Sequence, residues 1–324
     1  MLRLGVQLDL QNEEKFLAKI NVGPTKPGMM SSLMDTAPPI FVSTSGIQAR
    51  KIGDAVLQLA SAGFRHIELS GGTSFYPEWL KDLLEIRKEY DLTFRLHNYF
   101  PPPPDPFVLN LASEDIGQYR RSFELIELAI EVSEILGSTQ LGFHAGFLTH
   151  VNVEHLGKRI PSNQFHDLAQ AAARFQSSYL QLKELAMARG ISLYIENNVL
   201  SKQNHLSLGD RRLLMMTTAD EIQASYESGS LILLDLAHLK VTCSSLGLSF
   251  RDELSRVWSC SNYLHLSDND GTEDQNQAIE SDSEMFSLLV QLGVGNKSLT
   301  LEIYEDIVGL AATHERLRSL FTQC

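Results

Sequence analysis

Short apolar runs alternate with longer amphipathic stretches along most of the chain. The runs are rich in residues that favour β-structure, and each is nearly continuously apolar, as the strands of a buried parallel sheet are. Eight such runs predict eight strands, at 40–46, 65–72, 93–99, 139–146, 191–198, 231–238, 262–268 and 299–304.

Amphipathic helices are predicted between these runs. Apolar residues recur at i, i+3, i+4 and i+7 in several of the intervening segments, and several of these segments stop at a glycine. Thr218, followed by Asp220 and Glu221, has the chemistry of a helix N-cap with an acidic first turn. The predicted helices lie within 48–64, 77–90, 114–137, 165–190, 218–229, 251–258 and 284–293.

Eight strand-then-helix units favour a (β/α)8 TIM barrel. The alternative is a doubly wound sheet, but no G-x-G-x-x-G sequence follows the first predicted strand. We therefore predict a single-domain barrel over residues 39–324. Residues 1–38 precede the first unit and contain a segment rich in Gly, Pro and Ser, so we predict an irregular N-terminal extension.

Composition narrows the partners and the compartment. A net charge of −13 and a pI near 5.2 disfavour nucleic-acid binding through a broad basic face, although bound divalent metals can reverse a local field. The three cysteines form no C-x-x-C pair and no disulfide framework, which favours a reducing compartment. No apolar run is long enough to span a membrane, and the N-terminal run is too short for a signal peptide. We expect a cytoplasmic protein.

Ionisable side chains stand at the ends of six predicted strands. Asp235 lies within an apolar run, where an unpaired buried carboxylate costs several kcal/mol, so a cation is expected beside it. Each group alone has a structural explanation, such as a hydrogen-bonded histidine or a helix cap. Together they would meet at the carboxyl ends of the barrel strands, where their like charges need a cation. The set is His97, His144, Glu196, Asp235, His238, His265, Asp268 and Glu302.

The residue types indicate which cation is expected. Imidazole and carboxylate groups without thiolates suit Zn, Mn, Fe or Co better than Ca or a thiolate-bound zinc. The order of these residues along the chain, with Asp235-x-x-His238 and His265-x-x-Asp268, resembles the xylose isomerase-like TIM barrel superfamily. That group includes endonuclease IV and many sugar isomerases and epimerases, and the resemblance covers about residues 39 to 320.

The endonuclease IV branch implies a multi-zinc site. There the equivalent of Glu196 bridges two zinc ions. One ion is also held by the equivalents of His97 and His144, and the other by those of Asp235, His265 and Glu302. A third zinc uses the equivalent of His238 and an Asp-x-His pair. Here Asp274 is followed by Asn276 in place of the histidine, so the third site is incomplete.

The isomerase and epimerase branch implies a single Mn, Mg or Co ion. It would be held by Glu196, Asp235, His265 and Glu302, with the two glutamates also acting as acid and base and His238 contacting substrate. This branch does not require His97 and His144. The loop after the second strand, "SGGTSFYPEW", has no Arg or Lys for a phosphate backbone.

We therefore expect a metal-dependent isomerase or epimerase of a small sugar or sugar phosphate, with one or two divalent ions (Zn, Mn, Co or Mg). An endonuclease IV-like phosphodiesterase for abasic DNA is the alternative, and a non-catalytic ligand-binding barrel is a third interpretation. Glu196, Glu302 and His238 are the expected catalytic residues. Two further residues have two alternative roles each. Glu68 either contacts substrate or is structural, and Lys240 either binds a phosphate or is exposed to solvent.

Overall fold

The computed structural model describes residues 38–161, 165–208 and 213–322. Eight parallel strands close into a barrel in chain order, which confirms the predicted (β/α)8 fold. Residues 1–37, most of the predicted extension, lie outside the described residues, so the boundary at 38 stays a prediction. The strands are β1 Ile40–Ser43, β2 His66–Leu69, β3 Thr93–Leu96, β4 Gln140–His144, β5 Ser192–Glu196, β6 Leu231–Asp235, β7 Ser261–Leu266 and β8 Ser298–Leu301.

At least one helix follows each strand, as the barrel requires. Each of the seven predicted helical segments overlaps a helix, and Thr218 caps its helix through a capping box with Glu221. The helices are α1 Ile52–Ser61, α2 Trp79–Tyr90, α3 Ile116–Leu136, α4 Leu168–Ala188, α5 Lys202–Leu208, α6 Ala219–Glu227, α7 Leu236–Leu246, α8 Phe250–Val257, α9 Glu284–Leu292 and α10 Ile307–Thr322.

The sixth predicted strand, 231–238, is too long. β6 ends at Asp235 and α7 begins at the next residue, which places His238 in the first turn of a helix. Asp235 is the N-cap, because its Oδ1 accepts a hydrogen bond of 2.7 Å from the His238 backbone nitrogen. The apolar residues continue from strand into helix without a break, so hydrophobicity alone could not reveal the boundary.

Burial of the strands on both faces positions the candidate site. Outward side chains such as Ile67, Leu96 and Leu234 are inaccessible and pack under the helices. No helix among the described residues is both long and apolar enough to cross a membrane. The closed barrel therefore brings the polar groups at the carboxyl ends of its strands together at one end, where TIM barrels carry their chemistry.

Candidate metal centre

The structure brings the predicted ligands to one end of the barrel. His144, Glu196 and Asp235 are the last residues of their strands, and His265 is the second-last residue of β7. The remaining four follow a strand directly or lie on the segment after it: His97, His238, Asp274 and Glu302. Their placement follows from strand register, since parallel strands end at the same edge of the sheet.

Four of these residues form what we call the carboxylate half of the centre: Glu196, Asp235, His265 and Glu302. One ligand atom from each lies within 4.8 Å of the others. His265 Nδ1 is 3.3 Å from Glu196 Oε1 and 3.0 Å from Glu302 Oε2. Three carboxylates and one imidazole, drawn from four strands, therefore enclose a single point.

His97, His144 and Glu196 form the imidazole half. His97 Nε2 lies 2.6 Å from Glu196 Oε2, and His144 Nε2 lies 3.3 Å from the same oxygen. Glu196 thus presents Oε2 to the imidazole half and Oε1 to the carboxylate half. This glutamate is fully buried and belongs to both halves.

Burial and charge at the carboxylate half fit a bound cation. Burial raises the pKa of Asp235 to about 7, because water no longer stabilises the charged form. Burial also opposes ionisation of Glu196, but the three surrounding imidazoles lower its pKa well below the usual value. Glu196 Oε1 and His265 Nδ1 are buried without a hydrogen-bond partner. A divalent ion would engage both atoms and offset the crowded charge.

His144 also has a protonation state suited to a ligand. Burial lowers its pKa to about 4, so its imidazole is neutral at physiological pH. Neutral imidazole is the form that binds metals. The imidazole half is therefore a second, weaker candidate position for an ion, since its shared carboxylate already has two imidazole partners.

His238 lies beside the centre, and both of its ring nitrogens have partners on the protein. Nδ1 is 2.8 Å from the Asn197 carbonyl oxygen, and Nε2 is 3.2 Å from Asp274 Oδ2. The Asn276 side chain accepts instead from Ser267 Oγ at 3.3 Å. The predicted third site therefore has the His238–Asp274 pair in place, while the amide at 276 is hydrogen-bonded elsewhere.

Three serines that the sequence analysis did not identify connect the two halves. We call Ser45, Ser43 and Ser70 the serine chain. Ser45 donates to Glu302 Oε1 at 2.9 Å, and the hydroxyls of Ser45 and Ser43 are 2.9 Å apart. Ser43 donates to Ser70 at 3.1 Å, and Ser70 Oγ lies 3.3 Å from His97 Nδ1. Because His97 contacts Glu196, a continuous series of polar contacts connects the two glutamates, although the directions in which Ser45 and Ser43 donate leave no proton between their own hydroxyls.

Beneath the centre lies a polar group that we call the buried layer: Glu68, Arg95, Tyr263 and Thr300. Glu68 is inaccessible, and its Oε2 accepts from the Tyr263 hydroxyl and, at 2.7 Å, from Thr300 Oγ1. Its Oε1 lies 3.0 Å from His265 Nε2. Glu68 therefore contacts a predicted ligand from inside the barrel, on the side of the imidazole opposite the carboxylate half.

Lys240 is neither solvated nor free for a phosphate. Its amine lies 2.5 Å from Asp268 Oδ1 and donates to the Asn269 carbonyl oxygen at 2.6 Å. This pairing fixes the segment after β7 and neutralises Asp268. Asp268 was counted among the strand-end charges, but its carboxylate is engaged by this lysine.

Comparisons with known proteins identify the family and the fold. The family model described as xylose isomerase-like TIM barrel matches residues 56–319. No protein with a curated functional description matches the sequence.

Solved structures share the fold. A D-tagatose 3-epimerase-like protein is 18% identical with a TM-score of 0.63, over 87% of this chain and 97% of that one. A putative xylose isomerase from Rhodospirillum rubrum is 12% identical with a TM-score of 0.64, over 88% and 98%. The 3-keto-D-glucoside 4-epimerase YcjR of E. coli is 14% identical with a TM-score of 0.59, over 88% and 99%.

Proposed function

The chain belongs to the xylose isomerase-like TIM barrel family, and from this premise we propose that it is a metal-dependent isomerase or epimerase of a small sugar or sugar phosphate. The observation that carries the proposal is the carboxylate half, in which four buried or nearly buried ligand groups enclose one point. Epimerases among the structural neighbours support the same class of reaction.

The carboxylate half would hold one divalent ion through Glu196, Asp235, His265 and Glu302. Such an ion, when bound, would polarise a carbonyl and an adjacent hydroxyl of the sugar and acidify the carbon-bound hydrogen between them. Asp235 and His265 would serve only to bind the ion. The other two residues would have a second task, since each glutamate has two oxygens.

Glu196 and Glu302 would carry the proton. One carboxylate would remove the hydrogen from the carbon beside the carbonyl, leaving an enediol, and the other carboxyl group would deliver a proton to complete the product. β5, which carries Glu196, and β8, which precedes Glu302, stand three places apart around the closed ring of strands. The two groups therefore approach from separate sides of the barrel, as proton exchange between two faces requires.

The serine chain would return the proton between turnovers. With Glu302 ionised, Ser45 donates to it and Ser43 donates away from Ser45, so no proton lies between these two serines. A protonated Glu302 would donate to Ser45, and every later bond would then run in one direction to His97 and Glu196. One proton would leave Glu302 and one would reach His97, replacing the proton that His97 hands through Glu196 to the substrate carbon, so both glutamates would return to their ionised form. This task would explain His97 in a one-ion enzyme.

His238, the third expected catalytic residue, would bind substrate. Its Nε2 faces Asp274, whose side chain is about a quarter exposed, whereas its Nδ1 is tied to the backbone at Asn197. A sugar hydroxyl would reach this imidazole by replacing Asp274 at Nε2. His238 is thus oriented by the protein before substrate arrives.

The imidazole half supports a second candidate, a two-metal phosphodiesterase of the endonuclease IV type. His97, His144 and Glu196 also offer ligand atoms within 4.8 Å of one another, and paired ions activate water for phosphate-ester hydrolysis. The two candidates give His97 Nε2 incompatible roles. It either donates a proton to Glu196 or binds an ion, and it does not do both at once.

Deuterium exchange separates these candidates. The purified chain with Mn or Co is incubated in D2O with a panel of ketoses and ketose phosphates, and NMR follows deuterium at carbon. We expect incorporation at the carbon beside the carbonyl of one substrate. In parallel, a duplex with an abasic site is assayed for nicking. Nicking of the duplex without deuterium exchange on any sugar of the panel would contradict the isomerase proposal and support the phosphodiesterase.

A further inference from the structure

Glu68 is a buried carboxylate that the proposed proton chemistry does not use. It lies in a four-residue, mostly buried strand and is inaccessible to solvent; it belongs to neither half of the centre, although one of its oxygens lies within 4.8 Å of ligand atoms of His97 and His265. An uncompensated carboxylate in such a position costs several kcal/mol, and apolar side chains of similar volume fill such positions at no cost. Its hydrogen-bond partners indicate why a charge is placed there.

The partners of Glu68 divide its two oxygens. Oε2 accepts from the Tyr263 hydroxyl and from Thr300 Oγ1, so the carboxylate is held from β7 and β8. Oε1 makes no well-aligned hydrogen bond, and what lies beside it is His265 Nε2 at 3.0 Å. Two donors therefore fix one oxygen, and the second oxygen is aimed at the imidazole.

The rest of the buried layer holds this arrangement in place. Arg95 pairs in register with Glu68 on the neighbouring strand and donates to Thr300 Oγ1 at 3.2 Å and to Ser298 Oγ at 2.6 Å. Its guanidinium lies 4.6 Å from the Tyr263 ring centroid. The two residues that donate to Glu68 are thus themselves supported by a buried cation, which balances the carboxylate charge.

We propose that Glu68 is a positioning residue that selects the ring nitrogen with which His265 binds the metal. A carboxylate has no proton to donate, so the ring nitrogen facing Glu68 carries the proton. Nδ1 also faces carboxylates, those of Glu196 and Glu302, so an ion that takes Nδ1 leaves Nε2 as the nitrogen with the proton, and Glu68 holds the ring in that tautomer. Carboxylate–histidine–metal arrangements of this kind set both the tautomer and the orientation of the ring.

This proposal rests on the proposed metal site but not on the reaction. The first test measures metal affinity of the full chain by chelator competition with Co2+ or Mn2+, together with the Co2+ absorption spectrum. We expect Glu68→Gln to lower affinity about ten- to a hundredfold, the usual effect of removing a ligand's orienting partner, and to alter the spectrum. Gln keeps the shape and a hydrogen-bonding group for Tyr263 and Thr300.

Thr300→Val is the matched control, because it removes a buried donor to Glu68 Oε2 and leaves the Oε1 contact with His265. We expect it to lower the unfolding temperature while metal affinity stays within about threefold of wild type. If Glu68 served only to satisfy the core, both variants would lose stability and neither would lose affinity. Unchanged affinity in folded Glu68→Gln would overturn the proposal.

A measurement on the unmutated chain keeps the proposal testable if Glu68→Gln does not fold. The protein is labelled with 15N-histidine and loaded with Zn2+, and NMR identifies the protonated nitrogen of His265. We expect a proton on Nε2 and the metal on Nδ1, whereas metal on Nε2 would overturn the proposal. If the unmutated chain binds no ion, the proposed metal site fails as well. Metal binding with the wrong nitrogen contradicts only the role of Glu68.

Discussion

The two halves of the centre share Glu196 but differ in how the protein treats their charge. In the imidazole half, both His97 and His144 approach Glu196 Oε2, so the negative charge there has protein partners already. In the carboxylate half, Asp235 is buried with its pKa raised to about 7 by burial, and Glu196 Oε1 has no hydrogen-bond partner. The need for a cation is therefore concentrated on one side.

This difference gives a physical reason why one fold can support two types of reaction. A family member that binds an ion only at the carboxylate half has imidazoles available for moving protons. One that binds ions at both halves loses those imidazoles to metal coordination. In this chain His97 Nε2 lies 2.6 Å from Glu196 Oε2, which is hydrogen-bonding distance and favours the first arrangement. Four predictions test that comparison, beginning with the largest expected effect.

Replacing Glu302 with Gln should remove activity. The change keeps the shape of the side chain but removes a carboxylate that is both a metal ligand and an acid or base in the proposed reaction. We expect a loss of at least about 10³-fold in kcat/KM on the substrate identified by deuterium exchange, with the fold retained by circular dichroism. Glu305→Gln, an exposed change on the same segment, is the control and should act like wild type. Near-normal turnover in Glu302→Gln would remove this residue from the site.

Asp235→Asn and His97→Gln compare the two halves directly. Asn is as good an N-cap as Asp, so α7 should keep its first turn while the carboxylate half loses a charge. We expect Asp235→Asn to weaken Mn2+ or Co2+ binding by at least about a hundredfold, and His97→Gln by less than about tenfold. Titration calorimetry of both variants provides the measurement. Equal losses of metal affinity would mean that ions occupy both halves, and this result would favour the phosphodiesterase over the isomerase.

Ser43→Ala should interrupt the serine chain at its middle without touching either glutamate. If the chain returns the proton between turnovers, steady-state kcat should fall about tenfold, equivalent to about 1.4 kcal/mol in the barrier, while single-turnover rate and metal affinity stay near wild type. Ser133→Ala is the matched control, since that buried serine donates only to the Ala129 carbonyl oxygen. Equal effects on single and multiple turnovers would show that Ser43 acts on the chemical step or on packing instead.

The sequence was sufficient for the barrel because its strands carry a simple signal. Parallel strands buried on both faces read as apolar runs, and each was found within a few residues of its position. The helices Lys202–Leu208, Leu236–Leu246 and Ile307–Thr322 were missed. The second of these continues an apolar strand directly and contains Val241 and Thr242, so neither periodicity nor propensity separated it from β6.

Some residues of the candidate site were predictable from the sequence and others were not. Ligands such as Glu196 and His144 were predictable because ionisable groups at strand ends are unusual in an apolar setting. The serine chain was not, since Ser43 and Ser45 are small polar residues near a strand end and their contacts lie across strands. Glu68 and Arg95 did carry a signal, a charge inside a four-residue buried strand, the same signal that Asp235 gave. Their roles still required the register, which pairs β2 with β3 and sets Thr300 opposite His265.

The smallest expected effect concerns the incomplete third site beside the two halves. His238 and Asp274 lie 3.2 Å apart, but the Asn276 side chain is turned to Ser267, and its backbone oxygen accepts from the Tyr304 nitrogen at 2.8 Å. A histidine at 276 would have to leave that pairing before it could join the other two ligands. We therefore expect at most two tightly held ions in the unmutated chain, and less than one added equivalent of zinc in Asn276→His, by elemental analysis after dialysis against a weak chelator.

Three zinc ions in the unmutated chain would show that another ligand completes the site and would place the phosphodiesterase ahead of the isomerase. A full added equivalent of zinc in Asn276→His would instead show that the new histidine can leave the pairing at Ser267 and join His238 and Asp274. In that case the amide at 276 would be the one feature that keeps this centre from binding three metal ions.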